Sequence, residues 1–286
     1  MWANCPHQWK LRYVDGHKDD TPGIELVFGT AMHDTIQHWL TILYNDTPVK
    51  ARTFDMHEFL KARLIELVRE ELIVDGVQLT TQKEVAEYYA EGCNILDHVR
   101  KHANDWFPKS HQLIGVEVPL DVEVAPGVRF KAFLDIVLYH KSMKTVYIYD
   151  FKTSRRGWFW QKKDPKKTDQ LLLYKKYYSK IFGIPMDNIK VEFIILKRQV
   201  TEHKDFAVKH VVGFEPSHGT ISMKRASERF DTFLSLFDEQ GNPDTSKLTA
   251  TPSEMACKYC PFKNNVDLCE YSAYLPTSQR KLPIKG

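Results

Sequence analysis

Helical and extended periodicities follow one another along this chain in a definite order. From about Gly29 to Trp106 apolar residues recur at spacings of three and four. Met32, Ile36, Trp39, Leu40 and Leu43 form one set, and Leu60, Leu64, Leu67, Val68 and Leu72 a second. That period predicts amphipathic helices. Glu84 to Phe107 reads as another long helix, ended by Pro108. Period-two writing then takes over. Val116 to Val124 alternates, Pro126-Gly127 marks a turn, Val128 to Tyr139 returns as a second strand, and Val146 to Lys152 is a third. A helix over about Lys167 to Phe182 is stopped by Gly183-Ile184-Pro185. Strands are predicted over Ile189 to Lys197 and Phe206 to Phe214, then a helix over Ser217 to Phe237 with a serine cap. A strand–helix–strand crossover after hairpin-joined strands implies the α/β class, a mixed sheet with helices packed on it, behind an α-helical front. Residues 1–20 and 250–286 carry little regular pattern.

Composition changes this picture little. The 286 residues are 43% hydrophobic and 27% charged, too apolar for a disordered chain. No apolar run approaches the roughly 20 residues that span a bilayer, so no membrane partner is expected. Met1 to His7 has no apolar leader, and secretion is not expected. Five cysteines, an odd count in a chain this long, fit a reducing, cytoplasmic location better than a disulfide scaffold. Forty Lys and Arg against 37 Asp and Glu give a net charge of only +3. The charge is concentrated, however. Between Lys152 and Lys167 seven cations face one acid, Asp164, interleaved with Trp158, Phe159 and Trp160. Arg155, Arg156, Lys162 and Lys163 can take phosphates while Trp158 and Trp160 stack on bases, an arrangement suited to single-stranded nucleic acid. A solvated charge run seldom carries Trp-Phe-Trp.

The sharpest chemical signal lies in the strands. Phe133-Leu134-Asp135-Ile136-Val137 and Tyr149-Asp150-Phe151-Lys152-Thr153 place carboxylates in apolar runs, where an unpaired charge is costly. Asp150 and Lys152 share one face of a strand, and Asp135 can lie alongside on the preceding one. Two acids beside a lysine suit a hard, oxygen-bound cation. Asp-x-Lys alone is equally the signature of a self-satisfied ion pair. The second acid tips the balance toward chemistry.

These residues resemble the core of PD-(D/E)XK nucleases, in their RecB-like form. Gln170 and Tyr174 resemble the family's Gln-x-x-x-Tyr helix motif, Gly29 to His33 its Gly-x-x-x-His element, and Glu117 the glutamate of its first core strand. The resemblance implies a restriction-endonuclease-like core within a single nuclease domain over 1–286: a helical region at about 24–107, the nuclease core at about 113–238, and cluster-binding ends at 1–13 and 250–275. It implies a DNA exonuclease acting on single-stranded ends, in repair, recombination or viral DNA processing (in the host cytoplasm if viral), with a helicase or recombination partner compatible. His33, Asp135, Asp150 and the Phe151 carbonyl would hold Mg²⁺ or Mn²⁺. Lys152 would activate water, with Gln170, Tyr174 and Glu117 completing the catalytic set. A nucleic-acid-binding structural subunit with a nuclease fold and a zinc-stabilised endonuclease are the alternatives.

Cys257, Cys260 and Cys269 are spaced for one tetrahedral site that needs a fourth ligand. Spacing does not separate zinc from an iron–sulfur cluster. One cysteine before the core, Cys5, and three after it resemble the [4Fe–4S] arrangement of CRISPR-associated and helicase–nuclease exonucleases. That resemblance implies termini joined at a metal cluster. Cys93, in mid-helix, is expected to be buried filler.

Overall fold

A computed structural model describes residues 3–17, 23–74, 76–159, 161–200, 208–258, 260–263 and 265–270. Residues 206 and 207 of the predicted last strand, and 271–275 of the expected cluster-binding end, lie outside the described residues. The chain divides into two compact units, residues 22–122 with 130–227, and residues 1–21, 123–129 and 228–286. Its elements run α1 (Pro6–Tyr13), α2 (Ile24–Asn45), α3 (Pro48–Thr53), α4 (Met56–Glu71), β1 (Ile73–Val74), β2 (Val77–Gln78), α5 (Gln82–Lys101) and α6 (Ala103–Trp106). There follow β3 (His111–Ala125), β4 (Val128–His140), β5 (Thr145–Ser154), α7 (Pro165–Phe182), β6 (Ile189–Lys197), β7 (Val211–Phe214), α8 (Thr220–Leu234) and α9 (Glu254–Lys258). Among the described residues no helix is long and apolar enough to cross a membrane.

The larger unit is built on a five-stranded sheet ordered β3-β4-β5-β6-β7. The β4–β5 and β6–β7 pairs are antiparallel, and β5 pairs with β6 in parallel across the α7 crossover. The sheet is therefore mixed, as the sequence predicts. Val27, Phe28, Met32, Ile36 and Leu40 of α2 are fully buried in one core with Leu60 and Leu64 of α4 and Ile95 of α5. Ile136, Leu138, Phe151, Ile194 and Leu196 supply its sheet side. The predicted long helix after Glu84 is interrupted, because α5 ends at Lys101 and a separate short turn, α6, runs to Trp106. A reciprocal capping box between Thr81 and Glu84 starts α5.

Asp164 caps α7 by accepting the Lys166 amide, Pro165 opens the helix, and Gly183 closes it at φ +67°. Because α7 carries two site residues, this cap bears on function. Asp164→Ala should lower stability by about 1 kcal/mol, read as a shifted denaturation midpoint, with the cleavage rate of folded protein unchanged.

In the smaller unit, α1 forms where little pattern was expected. Trp9 meets Phe233 and Phe237 edge-on at 5.4 and 5.9 Å. The His7 ring bonds the Leu268 carbonyl at 2.8 Å, and Phe262 is fully buried. Cys5, Cys257, Cys260 and Cys269 do line one cavity, beside His7 and Leu11. None of these four forms a disulfide. The expected cluster, iron–sulfur or zinc, is corrected here. Among the described residues no group of three or more His, Cys, Asp or Glu is disposed to hold a metal ion. The cavity holds about 20 Å³, room for about one water. Burial and the neighbouring thiols push the Cys260 thiol up, which keeps it protonated. Hydrogen bonds and aromatic packing hold this region together.

Candidate active site

The site grows from β5, whose side chains alternate between two surroundings. Asp150 and Lys152 project toward α7, where Gln170 donates to Asp150 Oδ1 at 3.1 Å. Phe151 projects the other way, into the core, with its ring 5.6 Å from that of His33 on α2. The antiparallel register pairs Ile136 with Tyr149, so the next step brings Asp135 beside Asp150. Asp135 Oδ2 accepts the Phe151 amide at 2.6 Å and lies 3.5 Å from His33 Nδ1. Lys152 Nζ stands 2.6 Å from Asp150 Oδ2. That oxygen is fully buried and receives no aligned hydrogen bond, so the ammonium compensates it as a charge.

Burial dominates the electrostatics. It pushes both Asp135 and Asp150 up to about 6, against the pull of Lys152 on each and of the Phe151 amide on Asp135. Burial also holds His33 below its ordinary value, although Asp150 draws the other way. His33 is therefore neutral at pH 7. Tyr174, pushed up to about 12 by burial, is a neutral phenol bonded to Gln170 Nε2 at 2.6 Å. Gln170 and Tyr174 thus share one helix face and reach Asp150 as a pair.

Two site features escaped the sequence reading. Gln37, buried one turn after His33, donates to Glu117 Oε1 at 2.5 Å and to the Asp135 carbonyl at 3.2 Å. A lone amide on the apolar face of α2, spaced i,i+4 from His33, was the available signal. Glu117 itself adopts φ +47°, a left-handed conformation costly for a residue with a Cβ. The inward–outward alternation of β3 slips at Gly115 and Val116, as at a bulge, and this turns Glu117 to meet Gln37. Gly29 also acquires a physical reason. A Cβ there would lie 3.3 Å from Thr153 Oγ1, a tight contact that glycine avoids where α2 approaches the end of β5.

The residues expected to hold Mg²⁺ or Mn²⁺ come together without forming a metal-holding group. Among the described residues no three His, Cys, Asp or Glu are so disposed. Their polar atoms are engaged with each other: Asp135 with the Phe151 amide, Asp150 with Lys152 and Gln170, and Glu117 with Gln37. That expectation is corrected.

The cationic segment leaves β5 directly. Arg155 Nε bonds Gln199 at 2.8 Å, and Arg156 is exposed. Trp158 rests its ring on Phe193 at 4.9 Å, and Lys162 lies over the Phe214 ring. Among the described residues of this segment Phe159 is the exposed aromatic, at 74%. Trp160 and the side chain of Lys163 lie outside the described residues.

No curated protein matches the chain. Among solved structures it is similar to a candidate exonuclease from Eubacterium rectale, 10% identical over 79% of this chain and 71% of that one, with a TM-score of 0.44. The family model of the PD-(D/E)XK nuclease superfamily matches residues 2–265, nearly the whole chain. This chain belongs to that superfamily, and it is an enzyme of the nuclease class.

Proposed function

We propose that this nuclease hydrolyses DNA from single-stranded ends, as an exonuclease. The observation that carries the reading is the Asp150–Lys152 contact at 2.6 Å, with Asp135 beside it and the cationic segment continuing from Lys152. The partly exposed ammonium of Lys152 stabilises charge gathering on the phosphoryl oxygens as water attacks phosphorus. A bond forms from the water oxygen to phosphorus, the bond to the leaving deoxyribose oxygen breaks, and that oxygen takes a proton from solvent. Asp135, which keeps some solvent access and titrates near neutrality, takes the proton of the attacking water. Asp150 is too buried to touch water, and it fixes Lys152. Gln170 and Tyr174 position Asp150, and Gln37 positions Glu117 and the Asp135 backbone. Arg155, Arg156 and Phe159 would guide the strand toward the site by phosphate contact and stacking.

Matched linear and circular single strands separate the end-directed reading from internal cutting. Linear strands should be degraded from a labelled end while circles survive, and rapid linearisation of circles would overturn the exonuclease assignment.

The pH dependence follows from the two carboxylates. Both are raised to about 6, so both are ionised above that value and take up protons below it. The rate, kcat/KM, should be level above pH 7 and fall through pH 6, about tenfold per pH unit for one essential carboxylate and more steeply for two. A profile still flat at pH 5 would remove these groups from the reaction.

A further inference from the structure

We propose that a cleft among α2, α3, α5 and the link to β3 binds a phosphate of the nucleic-acid strand, remote from the cleaved bond. The cleft has a volume of about 260 Å³. Three cations reach it from three separate segments: Arg52 of α3, Arg100 at the end of α5, and Lys109 before β3. No aspartate or glutamate lines it. Its floor is apolar, formed by the buried Trp39, Ala51 and Phe107.

Each arginine spends one donor on a backbone carbonyl, Arg52 on Pro48 and Arg100 on Phe54, which fixes the side chains and leaves guanidinium donors over. Asp55, near Arg100, already accepts the His57 and Glu58 amides as the cap of α4. Like charges converging on an apolar floor are unfavourable unless an anion joins them. Arginine forks suit phosphate oxygens, and the floor suits a sugar or base edge. The chemistry that fits is therefore a nucleotide phosphate.

Position supports a strand over a free metabolite. Helix α2 carries His33 and Gln37 at the site and Trp39 and Leu43 at the cleft. From His33 to Leu43 is about 15 Å of helix, or roughly four nucleotides of duplex rise. The cleft would grip the substrate a few nucleotides from the bond being cut. This rests on the nucleic-acid reading above, but its test is a binding measurement that does not need cleavage.

The variants are Lys109→Glu and Arg52→Gln in the full chain, with a melting curve confirming that each folds. Labelled single strands bearing a 5′-phosphate or a 5′-hydroxyl are titrated across a range of salt. Both variants should bind several-fold more weakly, with the salt slope reduced by about 0.7 for each phosphate no longer neutralised. In cleavage assays KM should rise with kcat unchanged. Equal weakening for both ends assigns the cleft to an internal phosphate, and weakening confined to the 5′-phosphorylated strand assigns it to a terminal one. Binding of a free mononucleotide that both variants weaken, with strand binding unchanged in both, would overturn the strand assignment and keep the cleft. Wild-type binding of both strand and mononucleotide in both variants would overturn the cleft altogether. A chain that binds through the cleft but cuts no DNA would instead count against the nuclease reading alone.

Discussion

Asp150→Asn should abolish cleavage and at the same time make the protein more stable. The wild-type carboxylate is only 1% exposed and is raised by burial to about 6. A folded-state value above the unfolded one means that the native state binds the proton more tightly. The ionised group therefore costs stability in full above pH 6, the cost fades as the pH falls from about 6 to about 4, and it is absent below that. Asparagine keeps the shape and can still accept from Gln170, without the charge. Its gain should be about 1–3 kcal/mol at neutral pH, a rise of several degrees in melting temperature, vanishing in acid. Activity should move the other way. Lys152 loses the charge that fixes its ammonium, and the rate should fall by about a thousandfold or more. Melting curves at pH 4 and pH 7.5, beside initial rates, check both halves. A variant that loses stability at pH 7.5 would contradict the burial argument, and one that keeps its rate would remove Asp150 from the site.

The second large effect is expected at Phe151→Ala. Phe151 is fully buried, with its ring packed near His33 and Phe107. Truncation leaves a cavity where α2 meets β5, and the loss should be about 3–5 kcal/mol. Its flanking residues are Asp150 and Lys152, so the strand that slackens is the one bearing the chemistry. Cleavage should fall even in conditions where the variant is folded. Phe151→Leu retains most of the volume and should cost less than about 1.5 kcal/mol, recovering much of the rate. Denaturant midpoints of the two variants separate packing from chemistry. Equal losses in both would place the effect outside cavity formation.

Much of this architecture was legible in the residues because burial is one-sided and periodic. The strands over Val128 to Tyr139, Val146 to Lys152 and Ile189 to Lys197 were visible because their apolar runs are continuous between turns. The acids were visible because they interrupt those runs. Features that depend on tertiary contact were not. The slip in the alternation of β3 beside Glu117 shows only in the folded strand, and Gln37 differs from a surface glutamine only through what α2 packs against. Helix α1 has a weak apolar stripe and no side-chain cap, so its stability comes from the aromatic contacts of Trp9. The cysteines illustrate the converse. Cys257, Cys260 and Cys269 meet Cys5 at one cavity, but spacing carries no information about its size. The cleft of Arg52, Arg100 and Lys109 is assembled from segments far apart in the chain, and no local pattern announces it.

The central claim is that Asp135, Asp150 and Lys152 together hydrolyse phosphodiester bonds. The most direct measurement is the initial rate of label release from end-labelled single-stranded DNA by the wild-type chain and by Lys152→Gln. It is run with and without added divalent cation, with strand binding followed in parallel. Wild type should release label under at least one of these conditions. Lys152→Gln should bind the strand within a few-fold of wild type and lose at least about a thousandfold in rate. A Lys152→Gln protein that cleaves at a rate near wild type would contradict the account.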